Sequence, residues 1–204
     1  LAGFRYDNAK TSTSNENLGV RTPTIKDTND RISPRAGVLW RPVPEFSLYG
    51  SYTENFGASN TFTAGSLVPL PPQTTQQWEV GAKTELFGGR FVGSLAYFDL
   101  TKQNLPVFFP DGTSAVGEGE SRGLELDLSG EILPGWSVIG AYAYTPFAKT
   151  TKDDPDLGTM GKRLNNAPVN SGSLWTVYQF QEDRLQGLRI GAGVQGVGER
   201  QIGF

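Results

Sequence analysis

Two pairs of acidic residues stand two apart in the chain: Glu118 with Glu120, and Glu125 with Asp127. Paired carboxylates can divide the acid and base roles of glycoside hydrolysis. On an extended chain, residues i and i+2 point the same way. Here each pair alternates with Gly119 or Leu126 in strand register. That pattern assigns both pairs to the hydrated face of a strand wall, with Arg122 expected to pair with a neighbouring carboxylate. Asp153-Asp154-Pro155-Asp156 offers the oxygens a hard cation takes but lacks calcium-loop spacing, and reads as a solvated loop. Gly191-Ala192-Gly193-Val194-Gln195-Gly196 matches G-x-G-x-x-G. A dinucleotide site would need a helix next, and Val197-Gly198-Glu199-Arg200 is a poor helix start. Small residues in a strand explain the match.

The 204 residues contain no His and no Cys. The commonest general base, the commonest transition-metal ligand and any thiolate chemistry are therefore missing. A net charge of −3 gives no reason to expect a nucleic-acid partner. No catalytic residue, no metal-ligating set and no side-chain-bound cofactor is expected. The chain carries 37% hydrophobic and 11% aromatic residues, too many for a disordered segment.

The elements that position these residues are strands. Gly and Pro interrupt helix-length windows, whereas alternation recurs. Leu124, Leu126 and Leu128 share one face, opposite Glu125, Asp127 and Ser129. Leu188, Ile190, Ala192 and Val194 likewise oppose Arg189 and Gln195. Nine strands are expected at about 1–7, 30–41, 46–54, 74–86, 90–101, 116–130, 136–145, 167–180 and 187–200. Several reach ~10 residues, longer than globular strands and suited to a tilted membrane strand. Connections alternate in length. Pro42–Glu45, Phe87–Gly89, Leu133–Gly135 and Gln181–Gln186 are short, while 8–29, 55–73, 103–115 and 147–166 are long and polar. An antiparallel barrel with tight turns at one end and wide loops at the other has this rhythm. Trp40, Phe46, Trp78, Phe87, Phe91, Trp136, Tyr178 and Phe180 lie near strand ends, where interfacial aromatic belts would sit.

Five blocks in order resemble the barrel of TonB-dependent siderophore receptors. They are Ile32-Ser33-Pro34-Arg35-Ala36-Gly37-Val38 with Phe46–Glu54; Trp78-Glu79-Val80-Gly81-Ala82-Lys83 with Ala96–Asn104; Gly119–Glu125; Gly140–Thr145; and Asn166-Ala167-Pro168 through Leu174-Trp175 to Gly198-Glu199-Arg200. The resemblance implies an all-β, transmembrane, antiparallel outer-membrane β-barrel of 22 strands. Residues 1–204 would supply about nine of them, with the N-terminal plug domain and remaining strands outside the chain. Phe204 is accordingly read as internal, because in the family further strands follow Gly198-Glu199-Arg200. The implied function is uptake of ferric siderophores across the bacterial outer membrane, driven by the TonB-ExbB-ExbD system acting on the plug. Lipid is the surrounding partner and the ferric siderophore the transported ligand.

Within that reading Phe56, Phe62, Phe108, Phe109 and Phe147 are the candidate ligand-binding residues, as aromatics on long outer loops able to grip a chelate's organic scaffold. Lys149, Lys152 and Lys162 could attract an anionic chelate. Two alternatives stay open. One is a receptor for another nutrient or a passive porin. The other is a soluble β-sandwich or jelly roll acting on carbohydrate, which requires the aromatics near the short turns to be buried.

Overall fold

The computed structural model describes residues 1–14, 16–17, 20–21, 24–59, 69–108, 114–153 and 158–202. One antiparallel sheet of nine strands dominates it. In chain order these are β1 (Ala2–Thr13), β4 (Ile25–Val43), β5 (Phe46–Gly57), β6 (Gln73–Leu86), β7 (Phe91–Phe108), β8 (Ser114–Leu133), β9 (Trp136–Lys152), β10 (Asn170–Gln179) and β11 (Arg189–Val197). A small hairpin, β2 (Glu16–Asn17) with β3 (Val20–Arg21), lies between β1 and β4. Each large strand pairs with its sequence neighbours, and the sheet does not close on itself.

Register sorts the side chains into two faces. Cross-strand partners Trp40/Leu48, Leu48/Ala82, Val80/Tyr97, Leu95/Leu126, Leu126/Tyr142 and Leu174/Val194 lie on one face. Arg35/Thr53, Ser51/Glu79, Lys83/Ser94, Ser94/Asp127, Asp127/Ala141 and Ser173/Gln195 lie on the other. Period-2 alternation with a neighbour-to-neighbour register that preserves it produces this separation. The apolar face is uncovered: Trp40 and Trp78 are each 63% exposed and Trp136 is 40% exposed. Among the described residues the only buried hydrophobic side chains are Leu70, Ala96 and Ala148. A soluble sandwich cannot leave its aromatics on the surface of a single sheet, so the requirement set by that alternative is not met.

Five cross-strand aromatics gather at the short-turn end of the apolar face: Trp40, Phe46, Phe91, Trp136 and Tyr178. The Trp136 indole donates to Thr176 Oγ1 at 2.7 Å, and Phe180 packs edge-on to Tyr178 at 5.2 Å. Trp78 belongs instead to the opposite end, where its ring lies 4.4 Å from that of Tyr52. Tyr97 and Tyr144, level with each other through Leu124, lie one register step (two residues) nearer the short turns than Trp78. Two aromatic belts thus bracket a band of Val, Leu, Ala and Gly, the pattern of a sheet whose one face meets hydrocarbon.

Glycines on the polar face seat aromatic rings. A Cβ on Gly81 would fall 2.7 Å from both Leu95 O and the Tyr49 ring, so the ring lies directly on the backbone of β6. Trp175 covers Gly193 in the same way, which accounts for the G-x-G-x-x-G run as strand packing.

The strands are longer than the sequence pattern suggests. β7 and β8 remain paired to Phe108/Ser114, β9 reaches Lys152, and β1 and β4 pair from Ala2/Ala36 to Thr13/Ile25. Much of the segments expected to be loops at 8–29, 103–115 and 147–166 is therefore sheet. The upper halves carry polar residues on both faces, so no apolar alternation marks them, while the backbone ladder continues regardless of side-chain polarity.

Candidate functional site

From the level of Tyr52 and Trp78 upward, the strands project as a polar wall. On its outer side, continuing the apolar face upward, β7, β8 and β9 bring Asp99, Glu120, Arg122, Phe147 and Lys149 together. Arg122 Nε lies 2.9 Å from Asp99 Oδ2, and Nη2 lies 2.7 Å from Glu120 Oε2. Its guanidinium also stacks on Phe147, 4.9 Å from the ring centroid, with Lys149 Nζ 5.6 Å away. A bulge in β9 sets this register: Arg122 pairs with Phe147 but Leu124 with Tyr144, leaving Thr145-Pro146 opposite Gly123. Pro146 has no N–H to contribute and suits the gap. Arg163 closes it, donating to the carbonyls of Thr145, Pro146, Ala167 and Pro168 at 2.5–3.2 Å.

The expected Arg122–carboxylate pairing is present. Glu118 and Glu120, however, share the face of Leu124 and not that of Glu125 and Asp127, so only the second pair lines the polar face. Strand parity from Leu128 back to Glu118 would have revealed this. Glu118 is nearly buried and accepts from Lys152 Nζ at 2.9 Å, Gln103 Nε2 at 3.0 Å and Thr151 Oγ1 at 3.2 Å. Burial alone would raise its pKa, but these donors outweigh it and hold the carboxyl below its ordinary value.

Of the candidate ligand residues, Phe62 and Phe109 lie outside the described residues, as do Asp154 and Asp156. Phe56, Phe108 and Phe147 belong to strands β5, β7 and β9 and not to loops. Phe147 is occupied beneath Arg122 and Lys149. Lys149 and Lys152 sit on its outer side, opposite Glu120 and Glu118. The 158–164 segment runs beside β9 through Thr150 N to Lys162 O (3.0 Å) and Leu164 N to Ala148 O (2.9 Å), which places Lys162 on the opposite side from Lys149. Asp153 accepts from Thr159, fastening a turn, and the described residues contain no cluster able to hold a metal ion.

The polar face has its own charge pattern, which sequence reading did not single out. Tyr49 donates to Glu79 at 2.5 Å, and Lys83 Nζ stands 4.8 Å above the Tyr49 ring. On β1 and β4, Arg5, Asp7, Arg31, Ser33 and Arg35 share this side, with Arg5 opposite Ser33 and Asp7 opposite Arg31. Pairing of β4 with β5 ends at Arg35/Thr53, and the two strands fork above it. Side chains bridge the fork: Arg31 reaches Glu54 at 2.8 Å, and Arg5 reaches the Phe56 carbonyl at 3.3 Å. Only the strand pairing shows that these arginines meet. The signal available beforehand was the Arg31-x-Ser33-x-Arg35 spacing.

None of this arrangement brings a nucleophile, an acid and a base to one point. It offers a two-faced wall with a projecting polar rim. The family model for the β-barrel of TonB dependent receptor-like proteins matches residues 1–203. The chain is 35% identical over 98% of its length to the metal-pseudopaline receptor CntO of Pseudomonas aeruginosa, spanning 28% of that protein. It is 33% identical over 95% of its length to a ferric-pyoverdine BN7/BN8 receptor of Pseudomonas putida, spanning 23% of it. The crystal structure of the siderophore receptor PiuA from Acinetobacter baumannii superposes with a TM-score of 0.78 at 25% identity, covering 96% of this chain and 30% of PiuA. The two-faced sheet, its two aromatic belts and these likenesses together place the chain in the outer membrane, in the TonB dependent receptor-like β-barrel family.

Proposed function

We propose that residues 1–204 form part of the barrel domain of a receptor that imports ferric siderophores, with the apolar face toward lipid and the polar face toward the lumen. The observation that carries this is the match along nearly the whole chain to relatives named as receptors of metal-chelate complexes. The geometry supports it: a rigid wall with an extended polar rim can collect a bulky ligand and performs no chemistry on it. The barrel does not act as an enzyme. Energy comes from the TonB-ExbB-ExbD system acting through a plug domain. Phe56, Phe62, Phe108 and Phe109 are the proposed aromatic contacts to the chelate, with Phe56 reaching it only over the rim, because through Thr74 and Gln103 it shares the outer side with Glu118. Phe147 is the weakest of the five, since two cations already use its ring.

The test is energy-dependent uptake of labelled iron on a panel of siderophores, in cells with and without the intact gene. Uptake of one chelate that vanishes on deletion, returns with the gene and requires TonB supports the proposal. Unchanged uptake across the panel overturns it. A chelate of another transition metal is the second reading, favoured by a relative whose name specifies only metal-pseudopaline. A second labelled metal in the same assay separates the two.

A further inference from the structure

The lipid-facing side of the wall is grooved where it meets the rim. A groove of about 380 Å³ runs between Leu95, Leu124 and Leu126 on one side and Tyr142, Tyr144 and Asn170 on the other. Tyr142 shapes it. Its ring leans over Gly172, where a Cβ would fall 3.1 Å from Tyr142 Cδ2, and its hydroxyl donates to Asn170 Oδ1 at 2.6 Å. The ring is thereby drawn toward β10 and away from the leucines of β7 and β8. On a face that meets hydrocarbon, the apolar walls of such a groove lose contacts unless an acyl chain fills it.

The upper end of the groove opens on a cluster of charge. Arg122 and Leu124 are successive residues of one face of β8, so Arg122 stands one register step, about 7 Å, above the groove. Arg122 and Lys149 share the ring of Phe147. Arg163 lies across from Lys149 on the same side, with its guanidinium held by four backbone carbonyls. These three cations stand against two carboxylates, Asp99 and Glu120, and Arg122 takes both. Lys149 is exposed and, among the described residues, has no carboxylate within ion-pair distance. The surplus positive charge therefore sits just above Tyr97 and Tyr144, at the level where interfacial aromatics give way to lipid headgroups. The long connections mark this end of the barrel as the outside of the cell.

We propose that this is a binding site for a single anionic lipid of the outer leaflet, with one acyl chain in the groove and a headgroup phosphate held by Lys149 and Arg122. Neither half selects a lipid alone: the groove takes any apolar chain, and the cations take any phosphate. Their adjacency makes the selection, because free phosphate leaves the groove unfilled and an uncharged lipid leaves Lys149 without a partner. The site faces away from the lumen, so it is independent of the ligand that the receptor imports.

The experiment uses the intact receptor, purified in detergent and stripped of lipid, with retention read by native mass spectrometry. The probes are dioleoyl phosphatidic acid, dioleoyl phosphatidylcholine, dioleoylglycerol and inorganic phosphate. The unaltered receptor is expected to retain phosphatidic acid in preference to the other two lipids, and excess inorganic phosphate should not displace it. Lys149→Gln, at an exposed position, should weaken that retention about fivefold. Leu95→Trp fills the groove with a side chain that suits the lipid face, and should weaken it as well. Leu124→Phe serves if Leu95→Trp fails to give a heat-modifiable barrel. Equal retention of all three lipids would mean ordinary solvation by the bilayer, and displacement by inorganic phosphate would mean a phosphate site only. Either result overturns the proposal. So does retention that either the lysine or the groove variant leaves unchanged, or an unaltered receptor that retains no phosphatidic acid.

Discussion

The lower and upper halves of this wall are built from the same strands on different terms. Below the Tyr52–Trp78 belt, each strand separates apolar from polar residues and the register holds without interruption across β6, β7 and β8. Above it, both faces are polar, register shifts occur at Asn104, Thr151 and Pro146, and ion pairs such as Arg31–Glu54 and Lys152–Glu118 bridge neighbours. The lower half is specified by the contrast between two solvents, the upper half by particular side-chain partners. Substitutions should therefore fail in the lower half according to depth and in the upper half according to partner.

The sharpest break of this comparison is a charge in the lipid-facing band. In the intact receptor, Leu126→Arg should cost about 2–4 kcal/mol, read as denaturant unfolding in bilayers, whereas Thr101→Arg on the same face above the belt should cost under about 1 kcal/mol. Equal costs would show that the belt does not mark a solvent boundary. Gly81→Ala comes next, at about 1–3 kcal/mol, because the methyl meets the Leu95 carbonyl and the Tyr49 ring. Combining it with Tyr49→Ala should recover part of that loss.

Glu118→Gln should cost about 1 kcal/mol, since the exposed Lys152 is free to rehydrate. The pH dependence has a definite sign. The folded-state pKa of Glu118 is depressed below the ordinary 4.5, so its contribution is complete above that value and disappears as pH falls through the lower, folded-state value. Amide exchange at the β8–β9 rim should accelerate in acid below pH 4.5 in the native receptor and lose that step in Glu118→Gln. The smallest effect belongs to Arg41→Ala at a short turn. Arg41 and Glu85 are both well exposed, and the change should lie within about 0.5 kcal/mol.

The same contrast explains what could be read beforehand. Leu124, Leu126 and Leu128 opposite Glu125 and Asp127 announce their strand because two environments demand two residue classes. The short turns and most belt aromatics are legible for the same reason. The upper extensions are not: Thr11, Ser12 and Thr13, or Thr150 and Thr151, look like loop sequence, yet ladder bonding makes no demand on them. The candidate contacts suffered accordingly. Phe56, Phe108 and Phe147 were expected on loops because polar surroundings conceal a strand. The face of Phe147 depends on a bulge at Pro146 that no local pattern fixes.

The fork above Arg35 has a mechanical consequence. Leu1 and Gly37 exchange both backbone hydrogen bonds, at 2.9 and 2.8 Å, so odd-numbered residues of β4 address β1 and even-numbered residues address the open seam. At that seam Pro34 occupies the first even position and has no amide hydrogen to leave unsatisfied. Among the described residues the upper β1–β4 ribbon is thus a cantilever, anchored at its base and fastened sideways through the ends of Arg31 and Arg5. Such a beam can swing as a unit while its own internal ladder stays intact. Its amides should record this, with Thr28, Asp30 and Ile32 exchanging fast beside slow Asn29 and Arg31.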